Sequence, residues 1–275
     1  MDNGKHKYLL AKPDMPTSSS GQPLLCVHGM SGFAAYLAPL MEYFAARGYV
    51  AYAPDIVGHG ERSGDDLSGV GVGDYVADVG DFINRVVLPR HNNGVIVVGH
   101  SMGGLIAAKL AEGKEVTHVV LITPSPPKGV LFVPGGCIRF TWDDILSVIR
   151  RGIRKEPFVP SRKMFESLFA DPERSREVID LWAARRISNE SLLAALQLGT
   201  SQIRVNPLSI TAPMLVVGAA KDVVIHPRVA VRIAAYFNAD VHMLDTLGHM
   251  CPFEWGWEET ADVILGWLKK NGATP

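Results

Sequence analysis

Short apolar runs alternate with longer amphipathic segments along most of the chain. Short β-branched or apolar runs have the length of buried strands, at residues 24–27, 49–53, 95–98, 118–122, 214–217 and 241–244. Segments with helical apolar spacing or strong helix formers lie between them, at residues 35–47, 75–88, 105–112, 227–237 and 257–270. Because strands that alternate with helices are joined by right-handed crossovers, the pattern predicts an α/β fold with a mainly parallel central sheet and helices on both faces. Residues 7–12 are expected to add one edge strand.

One stretch interrupts this alternation. After Thr123 come a Pro- and Gly-rich segment and then a long helical pattern, with no further strand until Met214. Residues that commonly cap helices predict the helix starts in this stretch, at Thr141, Ser161, Asp171 and Ser188. We therefore predict a single domain whose core comprises residues 1–124 and 208–275, with an inserted helical cap at residues 125–207.

Composition narrows the class of protein. Of the 275 residues, 47% are hydrophobic, which is enough for a chain of this length to bury a large core. The 27 basic and 28 acidic side chains give a net charge of −1, so nucleic acid, which usually requires a strongly basic domain, is not expected as a partner. Three cysteines do not suggest a disulfide framework, and no signal peptide or membrane-spanning run is recognised. These features predict a cytoplasmic protein without stable membrane insertion.

The strongest chemical motif is Gly99-His100-Ser101-Met102-Gly103. It directly follows the predicted strand 95–98 and precedes a helical pattern, which is the context that a G-x-S-x-G nucleophile turn requires. A serine on this sharp turn projects its hydroxyl into a pocket, while the two glycines let strand and helix approach without a Cβ clash. The following helix N-terminus also favours developing negative charge. Ser101 is therefore the predicted nucleophile.

With this motif in place, the chain resembles the α/β-hydrolase superfamily over residues 24–268, and within it the carboxylesterase and monoacylglycerol-lipase-like members. The family's chain order of nucleophile, acid and histidine implies a triad of Ser101, Asp222 and His249. Asp222 follows the predicted strand 214–217, and His249 lies in a Gly-His turn after the last strand. In such a triad the histidine accepts the serine proton and the acid orients the imidazole.

Other acidic and imidazole groups are weaker candidates for the triad. Asp245 at the end of the last strand is the alternative acid, and Asp240 at its start is a further one. Structural roles are expected for the remaining histidines that lie near these motifs, namely His100, His118, His226 and His242.

Acyl transfer also needs hydrogen-bond donors that face the oxyanion. The segment His28-Gly29-Met30 follows the first clear strand and is similar to the family's His-Gly oxyanion loop, which implies the backbone N–H of Met30 as one donor. The N–H of Met102, directly after the nucleophile, is the other, and the Ser31 hydroxyl is a less favoured alternative. Residues 55–63 resemble the family's D-x-x-G-x-G-x-S loop, for which we expect a structural role.

The resemblance further implies that the cap shapes the substrate pocket. Candidate pocket residues are Phe33, Trp142, Trp182 and Met250, which favour an apolar acyl or aromatic substrate. The cap also has a local excess of basic residues, at Arg139, Arg150, Arg151, Arg154, Lys155, Arg162 and Lys163. A solvated helix face is the favoured interpretation of this basic cluster, and a site for an anionic lipid or a substrate carboxylate is the alternative.

These expectations combine into a functional hypothesis. The resemblance implies a serine hydrolase that cleaves small-molecule carboxylic esters through an acyl-enzyme. Cleavage of a carbon–carbon bond, lactone, thioester or amide by the same triad stays open, as does a non-enzymatic role as a small-molecule receptor. No cofactor or metal is expected, since a serine triad needs none and the sequence has no zinc-spaced Cys/His cluster. Cys251 is expected to be a buried apolar side chain rather than a reactive thiol.

Overall fold

The computed structural model describes residues 5–14, 21–136, 150, 161–184 and 190–275. Its strands form one sheet: β1 (Tyr8–Ala11), β2 (Leu24–Val27), β3 (Ala51–Pro54), β4 (Val95–His100), β5 (Val116–Ile122), β6 (Met214–Ala219) and β7 (Asp240–Leu244). The order across the sheet is β1-β3-β2-β4-β5-β6-β7, with β1 antiparallel to β3 and the other neighbours parallel. The predicted α/β fold with a mainly parallel sheet is confirmed.

The described α-helices are α1 (Ala38–Ala45), α2 (Val72–Phe82), α3 (Met102–Leu110), α4 (Arg162–Glu166), α5 (Arg176–Ala184), α6 (Leu192–Gly199), α7 (Pro227–Phe237) and α8 (Glu258–Lys270). Short 3₁₀ segments lie at Ala34–Leu37, Gly60–Arg62, Leu88–Arg90 and Pro207–Ser209, and α2 continues into a π-helical turn at Ile83–Val87. Helix α7 has the predicted bounds, because proline occupies its first turn and Asn238 ends it in the left-handed conformation, with φ 53°. Among the described residues, no helix has the length and apolar character needed to cross a membrane.

Local capping moves some helix ends away from their predicted positions. Helix α2 begins three residues early because the Asp74 carboxylate accepts a hydrogen bond from the Gly71 N–H at 2.8 Å. In the cap, α4 follows Ser161 as predicted, whereas α6 starts after Ser191, whose hydroxyl accepts from the Ala194 N–H. The predicted caps at Thr141 and Ser188 lie outside the described residues.

Alternate residues of the central strands point into two separate hydrophobic cores. One core lies between the sheet and α2, α3 and α7, and the other lies under α1 and α8 and includes apolar side chains of α4 and α5. In β2, for example, Leu25 and Val27 belong to the first core, whereas Leu24 and Cys26 belong to the second. Helices therefore cover both faces, and the carboxyl ends of the parallel strands are left to form a site.

Candidate active site

Ser101 occupies a sharp turn between β4 and α3. Its φ of 56° and ψ of −116° form a strained conformation for a residue with a side chain. A Cβ added at Gly99 would lie 2.1 Å from the Gly103 carbonyl oxygen, and one added at Gly103 would lie 2.2 Å from the Val27 carbonyl oxygen. A side chain at either position would clash with backbone, so both positions need glycine. At Gly103 the close approach places the turn against the end of β2.

Three loops bring Ser101, His249 and Asp222 together at the carboxyl edge of the sheet. The Ser101 Oγ lies 3.0 Å from His249 Nε2, and His249 Nδ1 lies 2.9 Å from Asp222 Oδ2. The other carboxylate oxygen of Asp222 accepts hydrogen bonds from the N–H groups of Val224 and Ile225, at 2.7 and 2.9 Å. All three side chains are buried. This geometry allows the serine hydroxyl to donate to Nε2 while the carboxylate holds the proton on Nδ1.

The alternative acids are not in contact with His249. Asp245 is exposed, and the Asp240 carboxylate accepts a hydrogen bond from the Trp267 indole N–H at 2.7 Å. Two of the other histidines have hydrogen-bond partners outside the candidate triad. His118 donates to the Asn271 carbonyl, and the His226 ring accepts from the Arg228 N–H at the start of α7.

The oxyanion loop, residues 28–32, lies directly against the Ser101 turn. A Cβ at Gly29 would lie 3.0 Å from the Ser101 Cβ, so this glycine permits the contact. The Gly29 carbonyl oxygen accepts hydrogen bonds from His28 Nδ1 at 2.9 Å and from the Gly32 N–H at 3.1 Å. Because N–H and C=O point in opposite directions across a trans peptide, these bonds orient the Met30 N–H away from His28 and Gly32. Met102 follows Ser101 as the first residue of α3, with its amide at the helix N-terminus.

Tyr36 and His100 connect the oxyanion loop with the histidine loop. The Tyr36 hydroxyl accepts from the Gly29 N–H at 2.5 Å and lies 3.4 Å from His100 Nδ1, while His100 Nε2 donates to the His249 carbonyl oxygen at 2.8 Å. Burial, together with the nearby His249, lowers the pKa of His100 to about 3. His100 is therefore neutral at pH 7, and its proton lies on Nε2. The Thr123 hydroxyl donates to the same His249 carbonyl at 3.2 Å, so two side chains fix the histidine backbone.

The loop of residues 55–63 has the structural role that its pattern predicts. The Asp55 carboxylate accepts from the Ala34 N–H at 2.7 Å and from the Glu61 N–H at 3.0 Å. Gly60 has a φ of 54°, and a Cβ there would lie 2.1 Å from Asp55 Oδ1. The glycine thus lets the loop fold around a carboxylate that fixes the chain just after the oxyanion loop.

A mainly apolar cavity of about 100 Å³ adjoins Ser101 and His249. Its apolar lining comes from the oxyanion loop, the cap and the loops after β6 and β7: Met30, Met164, Phe165, Leu168, Trp182, Val224 and Met250. The rings of Phe165 and Trp182 stack with their centroids 3.5 Å apart and join α4 to α5.

Two of the predicted pocket residues, Trp182 and Met250, line this cavity. Phe33 is not among the residues that line this cavity; it is 6% exposed and packs edge-on against Tyr36, so its assignment to the pocket gains no support from the structure. Its position follows from the tight turn at Gly32, where a Cβ would lie 2.3 Å from the Tyr36 ring. Trp142 lies outside the described residues.

Most of the predicted basic cluster also lies outside the described residues. Arg162 is half-exposed and forms ion pairs with Glu166 and Asp180, which agrees with a solvated helix face. Cys251 is fully buried, and burial and the charge of Glu254 raise the pKa of its thiol well above the ordinary value. We therefore expect the thiol to be unreactive in the folded protein.

Two buried glutamates near the site have no signal in the sequence pattern. Glu254 accepts hydrogen bonds from the Gly248 N–H at 2.5 Å and from the Ala170 N–H in the cap at 2.8 Å, and so ties the histidine loop to the cap. Glu190, in the cap just before α6, contacts the oxyanion loop. Neither glutamate belongs to a motif with fixed spacing. The backbone N–H groups that they bind do not lie at a regular distance from them in the sequence.

Comparison with known proteins places the chain in a family. A family model described as serine aminopeptidase, S33 (Hydrolase_4) matches residues 20–255, which is most of the chain. The structure resembles that of a thermophilic esterase from Thermogutta terrifontis with a TM-score of 0.71 and 20% identity, over 96% of this chain and 93% of that chain. At this identity the structural likeness shows the fold alone.

Sequence relatives match shorter segments. A pyrethroid hydrolase from Sphingobium wenxiniae is 31% identical over 114 residues, which make up 41% of this chain and 37% of that protein. A thermostable monoacylglycerol lipase from Bacillus sp. is 34% identical over 89 residues, or 32% of this chain and 34% of the lipase. The matched segments thus span little more than a third of these relatives. The family match over residues 20–255 shows that the chain belongs to the serine aminopeptidase S33 family of α/β-hydrolases.

Proposed function

We propose that this protein hydrolyses carboxylic esters with apolar acyl or aromatic groups, with Ser101 as nucleophile, His249 as general base and acid, and Asp222 as the acid of the triad. The observation that carries the proposal is the continuous hydrogen-bonded chain from Ser101 Oγ through His249 to Asp222 beside an apolar cavity. The two partial sequence relatives, a pyrethroid hydrolase and a monoacylglycerol lipase, support a hydrolytic reaction.

The geometry supports a two-step reaction. Ser101 Oγ attacks the ester carbonyl as its proton passes to His249 Nε2, and the N–H groups of Met30 and Met102 stabilise the oxyanion. The tetrahedral intermediate then collapses, and the proton on Nε2 goes to the leaving alcohol. Water attacks the resulting acyl-enzyme, gives a proton to His249, and the second collapse releases the carboxylic acid and restores the serine hydroxyl. Asp222 keeps the Nδ1 proton throughout and stabilises the imidazolium that forms.

The cavity lining favours an uncharged acyl group. Among the described residues that line it, none is Lys, Arg, Asp or Glu. A substrate carboxylate at this position would lose its hydration without gaining an ionic partner, which is unfavourable. Methionine side chains from three loops or helices, Met30, Met164 and Met250, give the wall an adaptable apolar surface.

A series of p-nitrophenyl esters of increasing acyl-chain length tests the proposal, run beside a ring-cleavage dienone and an amide. We expect ester turnover that Ser101→Ala abolishes, and covalent labelling of Ser101 by a fluorophosphonate. Asp222→Asn should reduce kcat by about 10⁴-fold without unfolding the protein, because the imidazole tautomer is lost. Absence of both turnover and labelling in folded protein would rule the mechanism out, whereas turnover of the dienone or amide alone would reassign the substrate class.

A further inference from the structure

A carboxylate from the cap makes four hydrogen bonds behind the oxyanion loop. Glu190 is fully buried, and its Oε2 accepts from the Ser31 N–H at 2.8 Å and lies 3.2 Å from His59 Nε2. Its Oε1 accepts from the Tyr75 hydroxyl at 2.7 Å and from the Ser191 N–H at 2.9 Å. All four neighbours are donors, which is the environment of an ionised carboxylate.

His59 is the counter-ion of this carboxylate. Its Nδ1 lies 2.9 Å from the Val57 carbonyl oxygen and its Nε2 faces Glu190, so each ring nitrogen meets an acceptor and each carries a proton. Burial opposes both charges, yet the mutual attraction and the hydrogen bonds raise the pKa of His59 and lower that of Glu190. The other titratable groups that face the Glu190–His59 pair are Asp55, Tyr75 and His28.

His28 shows that this protonation is specific to His59. The His28 ring packs 5.1 Å from the His59 ring, but His28 Nε2 accepts a hydrogen bond from the Ile56 N–H at 3.1 Å. Its Nδ1 donates to the Gly29 carbonyl, so one proton satisfies the ring, and burial lowers its pKa well below the ordinary value. Of these two adjacent buried imidazoles, the charged one is the one beside Glu190.

The Glu190–His59 pair holds a strained peptide next to the proposed oxyanion donor. Ser31 has a φ of 53°, a left-handed conformation that residues with side chains adopt only where their surroundings fix it. Its N–H is held by Glu190. The peptide that joins Gly29 to Met30 is held by hydrogen bonds to the Gly29 carbonyl oxygen, one of them from His28. Met30 therefore lies between two peptide groups, one held by His28 and the other by Glu190.

We propose that Glu190, with His59 as its counter-ion, is a positioning residue that holds the oxyanion loop in the conformation that aims the Met30 N–H at the reacting carbonyl. The inference rests on the proposed function, and it makes the cap a part of the catalytic apparatus as well as a wall of the pocket. A group that acts on the oxyanion donor affects the transition state, in which the oxyanion forms, more than it affects the bound ester.

The test compares Glu190→Gln with Tyr75→Phe as a matched control. Both substitutions alter the same buried cluster, but only the first changes the group that holds the Ser31 N–H. Measurements are kcat and KM on an activated short-chain ester, the Ki of a trifluoromethyl ketone of the same acyl group, and the thermal midpoint. Ser101 adds to the ketone carbonyl and forms a hemiketal oxyanion. The affinity for the ketone therefore measures how well the N–H donors stabilise an oxyanion.

Glu190→Gln should lower kcat and the affinity for the ketone by the same factor, about 10- to 100-fold, with KM changed less than about threefold. Tyr75→Phe should lower the thermal midpoint but keep kcat and Ki within about threefold of wild type. Glu190→Asp, which keeps the buried charge but withdraws it from Ser31, should reproduce the loss seen in Glu190→Gln and serves as the test if that variant does not fold.

The proposal is overturned if a folded Glu190 variant has a lower thermal midpoint but unchanged kcat and Ki. It is equally overturned if Tyr75→Phe loses as much kcat and ketone affinity, or if neither Glu190 variant folds, since Glu190 would then serve stability alone. Ester turnover by wild type that is lost in Ser101→Ala establishes the proposed function independently. A neutral Glu190→Gln would therefore refute the positioning role and leave the proposed function intact.

Discussion

Replacing Gly103 with alanine places one methyl group between the Ser101 turn and the end of β2. The added Cβ would lie 2.2 Å from the Val27 carbonyl oxygen and 2.5 Å from that of His28, and both atoms belong to backbone. Val27 would have to retreat by about 0.8 Å to reach the 3.0 Å below which real Cβ contacts essentially never occur. Overpacking of this kind costs about 1–3 kcal/mol, which exceeds the gain of up to about 1 kcal/mol from replacing a helical glycine.

The displaced carbonyls lead directly into the oxyanion loop, so activity should fall more than stability. A misplacement of about 1 Å can cost about 100-fold in rate, and we expect a loss of that order in kcat/KM for an activated ester. Urea unfolding followed by circular dichroism gives the free energy of unfolding. Gly73→Ala is the matched control, since it lies in α2 with nothing within 4 Å of the added Cβ and should leave activity unchanged. If Gly103→Ala were as stable and as active as this control, the reasoning would be refuted, because the close approach of Gly103 to the Val27 carbonyl would then affect neither stability nor activity.

Other buried contacts allow three more tests. Gly60→Ala should lower the free energy of unfolding by about 2 kcal/mol more than Gly69→Ala, because both have positive φ but only Gly60 faces the hydrogen-bonded Asp55 carboxylate; equal losses in urea would contradict this. The stability difference between wild type and Glu190→Gln should be greatest between pH 4.5 and 6.5, the ordinary pKa values of the two groups. Below pH 4.5, Glu190 loses its contribution to stability as the pH falls through its lowered pKa. Above pH 6.5, His59 loses its contribution as the pH rises through its raised pKa. A stability difference that did not depend on pH would exclude an ionised pair. Cys251 should resist a thiol reagent in native protein and react after unfolding, and peptide mass spectrometry that found native modification would contradict its burial.

The sequence was most informative where a function depends on local spacing. The nucleophile turn needs its glycines two residues from Ser101, and the close backbone approaches at Gly99 and Gly103 show why a side chain there would clash. Strand and helix periodicity likewise located β2, β4, β6 and α7 closely, since buried strands and amphipathic helices repeat their apolar positions at fixed intervals. Helix starts were less accurate because a single capping side chain, such as Asp74, can move them.

The candidate triad was also predicted before the structure was known. The resemblance to the α/β-hydrolase superfamily implied Ser101, Asp222 and His249 from the family's chain order, and these residues follow β4, β6 and β7. In a parallel sheet the segments that follow the strands meet at one edge. The structure brings them within hydrogen-bonding distance, and their catalytic role stays a prediction until Ser101→Ala is assayed.

By itself, the sequence determined the layered α/β fold and the nucleophile turn, because both are encoded by periodicity or by short spacing, whereas the candidate triad was implied by the family resemblance. Only the tertiary structure decided that Phe33 packs against Tyr36 and that Glu190 reaches Ser31 across 159 positions of the chain. No local pattern specifies such a partner, since a buried carboxylate is recognised by the donors that folding gathers around it. The cap thus emerges from the sequence as a cover for the pocket, and from the structure as a neighbour whose buried charge touches the oxyanion loop.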